Sequence, residues 1–323
     1  MDALLTALCA AADPTRLRLL ALAATGSFCV NDFCDMLGQS QPRLSRHLKL
    51  LCEAGLLART REGANAWFEL AQGPCGALVR AILTHAPAGD PLLEADRRGS
   101  ARVLAERARA ASEKFRLQGA DWDEMRALDL PAAQVERALL AQLPDRDLGR
   151  VLDIGTGTGR LLKLLAPRAT SALGIDASRT MLALARVHLA GPETAHCSVR
   201  LADMYALPLP DESFTTVLLQ MVLHYAEDPA AAMAEARRVL APGGRLVIVD
   251  LGAHERRELM AQMAHRRLGF SDAEMQALLH RAGLSAPPPT TIQAQPDTRL
   301  TIKIWQATAP ALAAPTRELE FSA

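Results

Sequence analysis

Gly155, Gly157 and Gly159 stand at alternate positions directly after an apolar run, in the stretch VLDIGTGTGR. Glycine tolerates positive φ and lets a ligand approach the backbone, so a strand, a glycine-rich turn and a helix at LLKLLA make the start of a nucleoside-binding crevice. The glycine spacing alone suits a dinucleotide equally well. Asp176 narrows the chemistry. It ends the next apolar run (ALGIDAS), 23 positions after Asp153, where a strand-end carboxylate can accept both hydroxyls of a ribose. Asp203 and Met204 are expected to end a third strand (VRLAD), followed by LPLPDESF, a fourth strand at Thr216 to Gln220, and then RVLAPGGRLVIVD.

A second group of residues suits a polyanion. Between Ser40 and Arg61 lie Arg43, Arg46, Lys49, Arg59 and Arg61 against a single acid, Glu53, although the whole chain carries equal numbers of acidic and basic residues. At about 100° per residue, Leu44, Leu48 and Leu51 fall within about 60° of one another and form a buried stripe. The opposite face carries Pro42, Ser45, Arg46 and Lys49, flanked by Arg43, with Gln41 at the leading end. Cations for phosphates, with Arg, Gln and Ser for base edges, are the mix that binding in a DNA groove requires. His47 falls nearer the leucine stripe and reads as a packing residue, as does Cys52.

The elements that must position these residues follow from turn and cap signals. Leu4 to Ala12 and Pro14 to Ala24 read as helices, the second with Asp13 as N-cap and Pro14 at its first position. Val30 to Leu37 is a short helix ending at Gly38, and Ser40 caps the basic helix, which stops at Gly55. Leu56 to Leu70 reads as a hairpin around Glu62-Gly63-Ala64-Asn65, with Arg59, Arg61 and Asn65 near its tip, where a wing meets the DNA backbone or minor groove. Four helices and a hairpin make a winged helix-turn-helix, expected over residues 1–91. Residues 92–143 read as connecting helices. Beyond Gly149, apolar strands alternate with helices, so residues 144–308 are expected to form an α/β domain around a mostly parallel sheet closed by a strand at Thr301 to Ala307, with 309–323 a loose tail.

A chain of 323 residues exceeds what one core supports, and half of it is hydrophobic without any run long enough to span a bilayer. Its start lacks the pattern of an export signal. The six cysteines include no CxxC pair, which argues for reduced thiols and a cytoplasmic setting.

The segment from Ala12 to Leu70, with SRHLKLL followed by AGLL and REG, resembles the ArsR/SmtB superfamily of winged-helix repressors. The resemblance implies a homodimer on a palindromic double-stranded operator and a ligand that changes DNA affinity. Many members bind metal through Cys-x-Cys at the start of the third helix. Here Cys29 is followed by Asn31 at the place of the second thiol, so no metal is assigned. Residues 150–250 resemble the class I S-adenosylmethionine-dependent methyltransferases. By that resemblance Asp153 with the loop of Gly155, Gly157 and Gly159 holds the methionine part, Asp176 the ribose, and Asp203 with the Met204 backbone the adenine. Thr215 stands where the family often has an acid. QMVLHYAEDP supplies His224 and Tyr225 where the family places groups that face the methyl acceptor.

The fusion itself resembles the S-adenosylhomocysteine-responsive regulators. It implies a DNA-binding transcription regulator whose methyltransferase-like domain binds S-adenosylmethionine or S-adenosylhomocysteine and modulates operator binding. The alternative is an active small-molecule methyltransferase that carries a DNA-binding domain. Transfer from a sulfonium needs chiefly positioning for in-line attack, and a base only when the acceptor must lose a proton.

Overall fold

The computed structural model describes residues 1–62, 65–87, 89–117, 128, 130–263, 265–293 and 300–311, with the backbone alone described at 62, 65, 105, 107–117, 261 and 262. The chain divides into two compact units, one made of residues 1–127, 145–147 and 155–203, the other of 128–144, 148–154 and 204–323.

The first unit begins with α1 (Asp2–Ala11) and α2 (Pro14–Ala23). The Asp13 carboxylate accepts the Arg16 N–H at 3.0 Å, satisfying one of the donors a helix start leaves open. A two-residue strand, β1 (Phe28–Cys29), leads into α3 (Val30–Leu37), which ends in left-handed Gly38 (φ 65°). Cys29 is the N-cap of α3, where its N–H donates to Asp32. Then comes α4 (Gln41–Glu53), with Ser40 at the N-cap in extended backbone but making no side-chain cap bond. β2 (Leu57–Glu62) and β3 (Asn65–Leu70) form the antiparallel wing, with Leu57 opposite Leu70. β1 adds a third strand through Phe28 opposite Phe68, which the sequence reading lacked. Phe28, Phe33 and Phe68 meet edge to face or tilted beneath it, and Leu44, Leu48 and Leu51 are buried in the same core.

After α5 (Pro74–Thr84) comes the long helix α6 (Pro91–Leu117). Arg18 of α2 clamps it with two bonds of 2.7 and 2.6 Å to Asp96, a carboxylate almost wholly buried. A planar guanidinium matched to both carboxylate oxygens is what makes so desolvated a charge tenable. The same unit contains the glycine loop, α8 (Arg160–Leu165), β5 (Ser171–Asp176), α9 (Arg179–His188) and β6 (Cys197–Leu201). β5 and β6 are parallel.

The second unit holds α7 (Ala132–Gln142), β4 (Arg150–Ile154), β7 (Phe214–Gln220), α10 (Pro229–Val239), β8 (Leu240–Leu251), α11 (Glu258–Gln262), α12 (Asp272–Arg281), β9 (Thr290–Gln293) and β10 (Thr301–Thr308). β4, β7 and β8 run parallel, and β10 returns antiparallel on β8. Neighbouring strands run β6-β5 in the first unit and β4-β7-β8-β10-β9 in the second, mostly parallel, with the central strands buried over nearly their whole length.

Several boundaries differ from expectation. β6 stops at Leu201, so Asp203 lies two residues past the strand and is exposed. The APGGR stretch lies within β8, which starts at Leu240 and takes up the irregularity by a register shift opposite Phe214 to Thr216, with Gly243 at φ 70°. β9 is an additional edge strand. Of the expected tail, residues 312–323 lie outside the described residues.

Candidate functional site

α4 presents the two faces its periodicity requires. Gln41, Pro42, Arg43, Arg46 and Lys49 are exposed, and Ser45 is half-buried beside the leucine stripe. Lys49 faces Glu53 at 3.7 Å, one turn on, a pair in open water that holds neither residue firmly. In the wing, Arg59 and Arg61 are both exposed and, being two apart on β2, leave on the same side. Asn65 opens β3 opposite Glu62, and its side chain lies outside the described ones. His47 is half-buried, 3.8 Å from Asp13, which agrees with a packing role.

In the same unit the glycine loop is anchored to β5. Gly155 and Thr156 both donate their N–H to the Ile175 carbonyl at 2.8 Å, and Gly157 donates to Asp176 Oδ2 at 2.8 Å. The three loop glycines have φ of 76°, 54° and 74°, so each holds the conformation that favours the residue without a Cβ. A Cβ built at Gly157 would meet nothing within 4 Å: the loop lines open space there. Asp176 also accepts the Ser178 N–H through Oδ1 at 2.7 Å. Burial pushes its carboxyl above the ordinary range, against the pull of these two N–H donors. An ionised carboxylate offers about four acceptor positions. Two acceptor positions therefore remain, a chemistry that suits a pair of hydroxyl donors. Ala202 N–H donates to the Asp176 carbonyl at 3.2 Å, which brings Asp203 to the neighbourhood of that strand end.

The second unit contains Asp153, Met204, His224 and Tyr225. Asp153 is buried in β4 opposite Leu218 of β7. Thr215 uses its hydroxyl at the strand edge, against the Leu148 and Arg150 carbonyls at 2.7 and 3.2 Å. His224 and Tyr225 form a 3₁₀ turn, Leu223–Tyr225. His224 is fully buried, with Nδ1 2.7 Å from Asp250 Oδ1. Asp250, equally buried, also accepts the N–H groups of Leu223 and Leu251. The imidazole is flanked by Tyr225 and by His265, whose ring centroids lie 4.2 and 4.4 Å from its own. The backbone of the 265–267 segment is tied to the turn as well, because Arg266 and Arg267 donate their N–H groups to the His224 carbonyl. Nearby His254 has its basicity lowered by burial first, then by His265, Arg256 and His224. Sequence reasoning missed Asp250 and His265. The signal for Asp250 was present: an acid closing the apolar run LVIV.

An exposed basic helix with its hairpin, and a glycine loop with an acid at the next strand tip, define a protein that joins a winged helix-turn-helix to a Rossmann-like α/β fold. Residues 13–59 match the model of the bacterial regulatory protein arsR family, and residues 152–248 match that of the methyltransferase domain. The chain thus joins an ArsR-family helix-turn-helix to a methyltransferase domain. It is 37% identical over 106 residues to a ubiquinone/menaquinone biosynthesis C-methyltransferase of Geobacter sulfurreducens, covering 32% of this chain and 41% of that one. It is 34% identical over 165 residues to an uncharacterized 37.1 kDa protein in transposon TN4556 of Streptomyces fradiae, 50% of this chain and 46% of that one. The chain therefore spans less than half the length of these two relatives. A chain from a solved complex of the Haloferax volcanii Trm112 methyltransferase activator shares the fold, with a TM-score of 0.51 at 22% identity over 62% of this chain and 98% of that one.

Proposed function

We propose that the chain is a transcription regulator in which S-adenosylmethionine or S-adenosylhomocysteine, bound at the glycine loop, modulates binding of the winged helix to operator DNA. The observation that carries this reading is the partition of the fold: the loop with Asp176 belongs to the same compact unit as α4 and the wing. Functionally, residues 1–91 are the reading head, 92–143 the connection, 144–308 the sensor and 309–323 a tail. Gln41, Pro42, Arg43, Ser45, Arg46, Lys49, Arg59, Arg61 and Asn65 contact DNA. Asp153, Gly155, Gly157, Gly159, Asp176, Asp203 and Met204 hold the nucleoside. The protein acts in the cytoplasm as a homodimer, since a palindromic site needs two reading helices.

The test is a gel-shift titration with both nucleosides on a duplex that the protein selects from a random-sequence library. Operator affinity that moves with either nucleoside supports the reading, and affinity indifferent to both refutes it.

A second reading, an active small-molecule methyltransferase, is favoured by the order imposed on the His224 turn. Bound S-adenosylmethionine would supply an activated methyl group. Asp250, accepting the hydrogen bond of Nδ1–H, fixes the imidazole tautomer with Nε2 as the acceptor, which is what a base beside a protic methyl acceptor needs. Labelled methyl transfer to small molecules of a cell extract, lost in His224→Ala, is the expected outcome under this reading.

A further inference from the structure

Resting on the regulator reading, the geometry points to α9 as the element that carries the state of the nucleoside loop to the wing, through the stack of Arg186 on Trp67. α9 begins just beyond the ribose-facing acid. Ser178, its N-cap, donates its N–H to Asp176 and accepts the Met181 N–H with its hydroxyl at 3.3 Å. The last turn is tied back to the loop, where His188 Nδ1 lies 2.9 Å from the Thr158 carbonyl. A carbonyl can only accept, so this ring nitrogen bears the proton. The middle of the helix touches the loop as well: a Cβ on Gly159 would come within 3.1 Å of Ala185 Cβ. Loop and helix therefore move as one body unless these contacts break.

On its other side α9 meets the wing. The Arg186 guanidinium carbon lies 3.9 Å from the centroid of the Trp67 ring, and the arginine is only 5% exposed. A cation over an indole face gains strength when water is excluded, and its preference for the ring face makes the contact directional. Trp67 pairs with Thr60, the residue between Arg59 and Arg61. A tilt of Trp67 is thus a tilt of the strand that presents both arginines. The seam is not close-packed, for a cavity of about 30 Å³ lies in it, lined among others by Ser27, Glu69, Gln72, Arg186 and Cys197. Room of that size, enough for about one water, admits small shifts of the wing against α9 that a fully packed joint resists. A neighbouring attachment, Arg80 Nη2 to the Ala195 carbonyl at 2.7 Å, holds α5 to the turn before β6 and serves as a pivot. A ligand that takes over acceptor positions of Asp176 and fills the space beside Gly157 interacts differently with the shifted and unshifted wing, and only such a difference can shift their populations.

The experiment uses the full chain and three measurements: nucleoside affinity by calorimetry, operator affinity by fluorescence anisotropy with and without saturating S-adenosylhomocysteine or S-adenosylmethionine, and hydrogen exchange of residues 65–70 on adding nucleoside without DNA. In the unmodified protein, nucleoside is expected to change operator affinity by about fivefold or more and to alter exchange at 65–70. Arg186→Ala and, from the opposite side of the stack, Trp67→Leu are expected to keep nucleoside affinity while bringing the ratio of operator affinities close to one. Retained calorimetric binding shows that each variant is folded at the loop. If the unmodified protein shows the change in operator affinity but no change in exchange at 65–70, or if both variants keep the ratio, α9 is not the route and the regulator reading survives. If neither nucleoside alters operator affinity in the unmodified protein, the regulator reading itself falls, and this inference with it.

Discussion

Asp176 and Asp250 both stand at the ends of sheet strands and both accept two backbone N–H groups, yet their surroundings assign them different work. Asp250 is sealed from solvent and gives its remaining capacity to His224, so its hydrogen bonds are all internal. Asp176 is half-buried beside open space at Gly157, and burial pushes its carboxyl up against the pull of two backbone N–H donors. The first acid holds a loop in place. The second, Asp176, keeps acceptor capacity that the protein itself does not use, which is the reason the proposed function places a ligand there.

Substitutions sharpen this contrast. The largest effect is expected at Asp250→Ala, which strands a buried imidazole and two backbone donors: about 3 to 5 kcal/mol of stability lost, read from urea unfolding. An effect below about 1 kcal/mol would erase the distinction between the two acids. Asp176→Ala should instead leave unfolding nearly unchanged and weaken nucleoside binding on the order of 100-fold, since charge-assisted bonds to two hydroxyls are lost. Calorimetry decides, and unaltered affinity removes Asp176 from the site. Arg46→Ala should cost about 1 to 3 kcal/mol of operator affinity with relaxed preference at one base position. Lys49→Ala should weaken all duplexes alike and lower the salt slope by about one.

The smallest effect is one of pH. A carboxyl whose folded pKa is raised binds its proton more tightly in the native state, so its contribution to stability is greatest at low pH. That contribution declines as pH rises from the ordinary carboxylate range through the elevated value. Asp176→Asn in the nucleoside-free protein is therefore expected to melt slightly above the unmodified chain at neutral pH and together with it in acid. Thermal melts across that range check the sign, and a variant that melts lower at neutral pH contradicts it.

What could be read from sequence was what local spacing dictates. The stripe of Leu44, Leu48 and Leu51 fixes which face of α4 is buried, and with it the exposure of Arg43, Arg46 and Lys49. Asp176 was visible because a strand of continuous apolar residues has to end somewhere, and a carboxylate marks the end. β1, two residues long, has too little length to show a period. The His224, Asp250 and His265 corner is assembled from three segments far apart in the chain, and no periodicity links them. The stack of Arg186 on Trp67 was hidden for the same reason, since it joins a wing strand to a helix of a different sequence motif. Asp203 was misplaced by two residues because β6 ends once its pairing with β5 is exhausted, at Leu201 opposite Asp176.

The central claim is a coupling between nucleoside and DNA, and coupling free energies are reciprocal. Calorimetric titration of the full chain with S-adenosylhomocysteine and with S-adenosylmethionine, alone and in the presence of saturating operator duplex, tests it most directly. The account predicts that for at least one nucleoside the dissociation constant differs between the two conditions, by the same factor by which that nucleoside alters operator affinity. Identical dissociation constants with and without DNA, for both nucleosides, would contradict it.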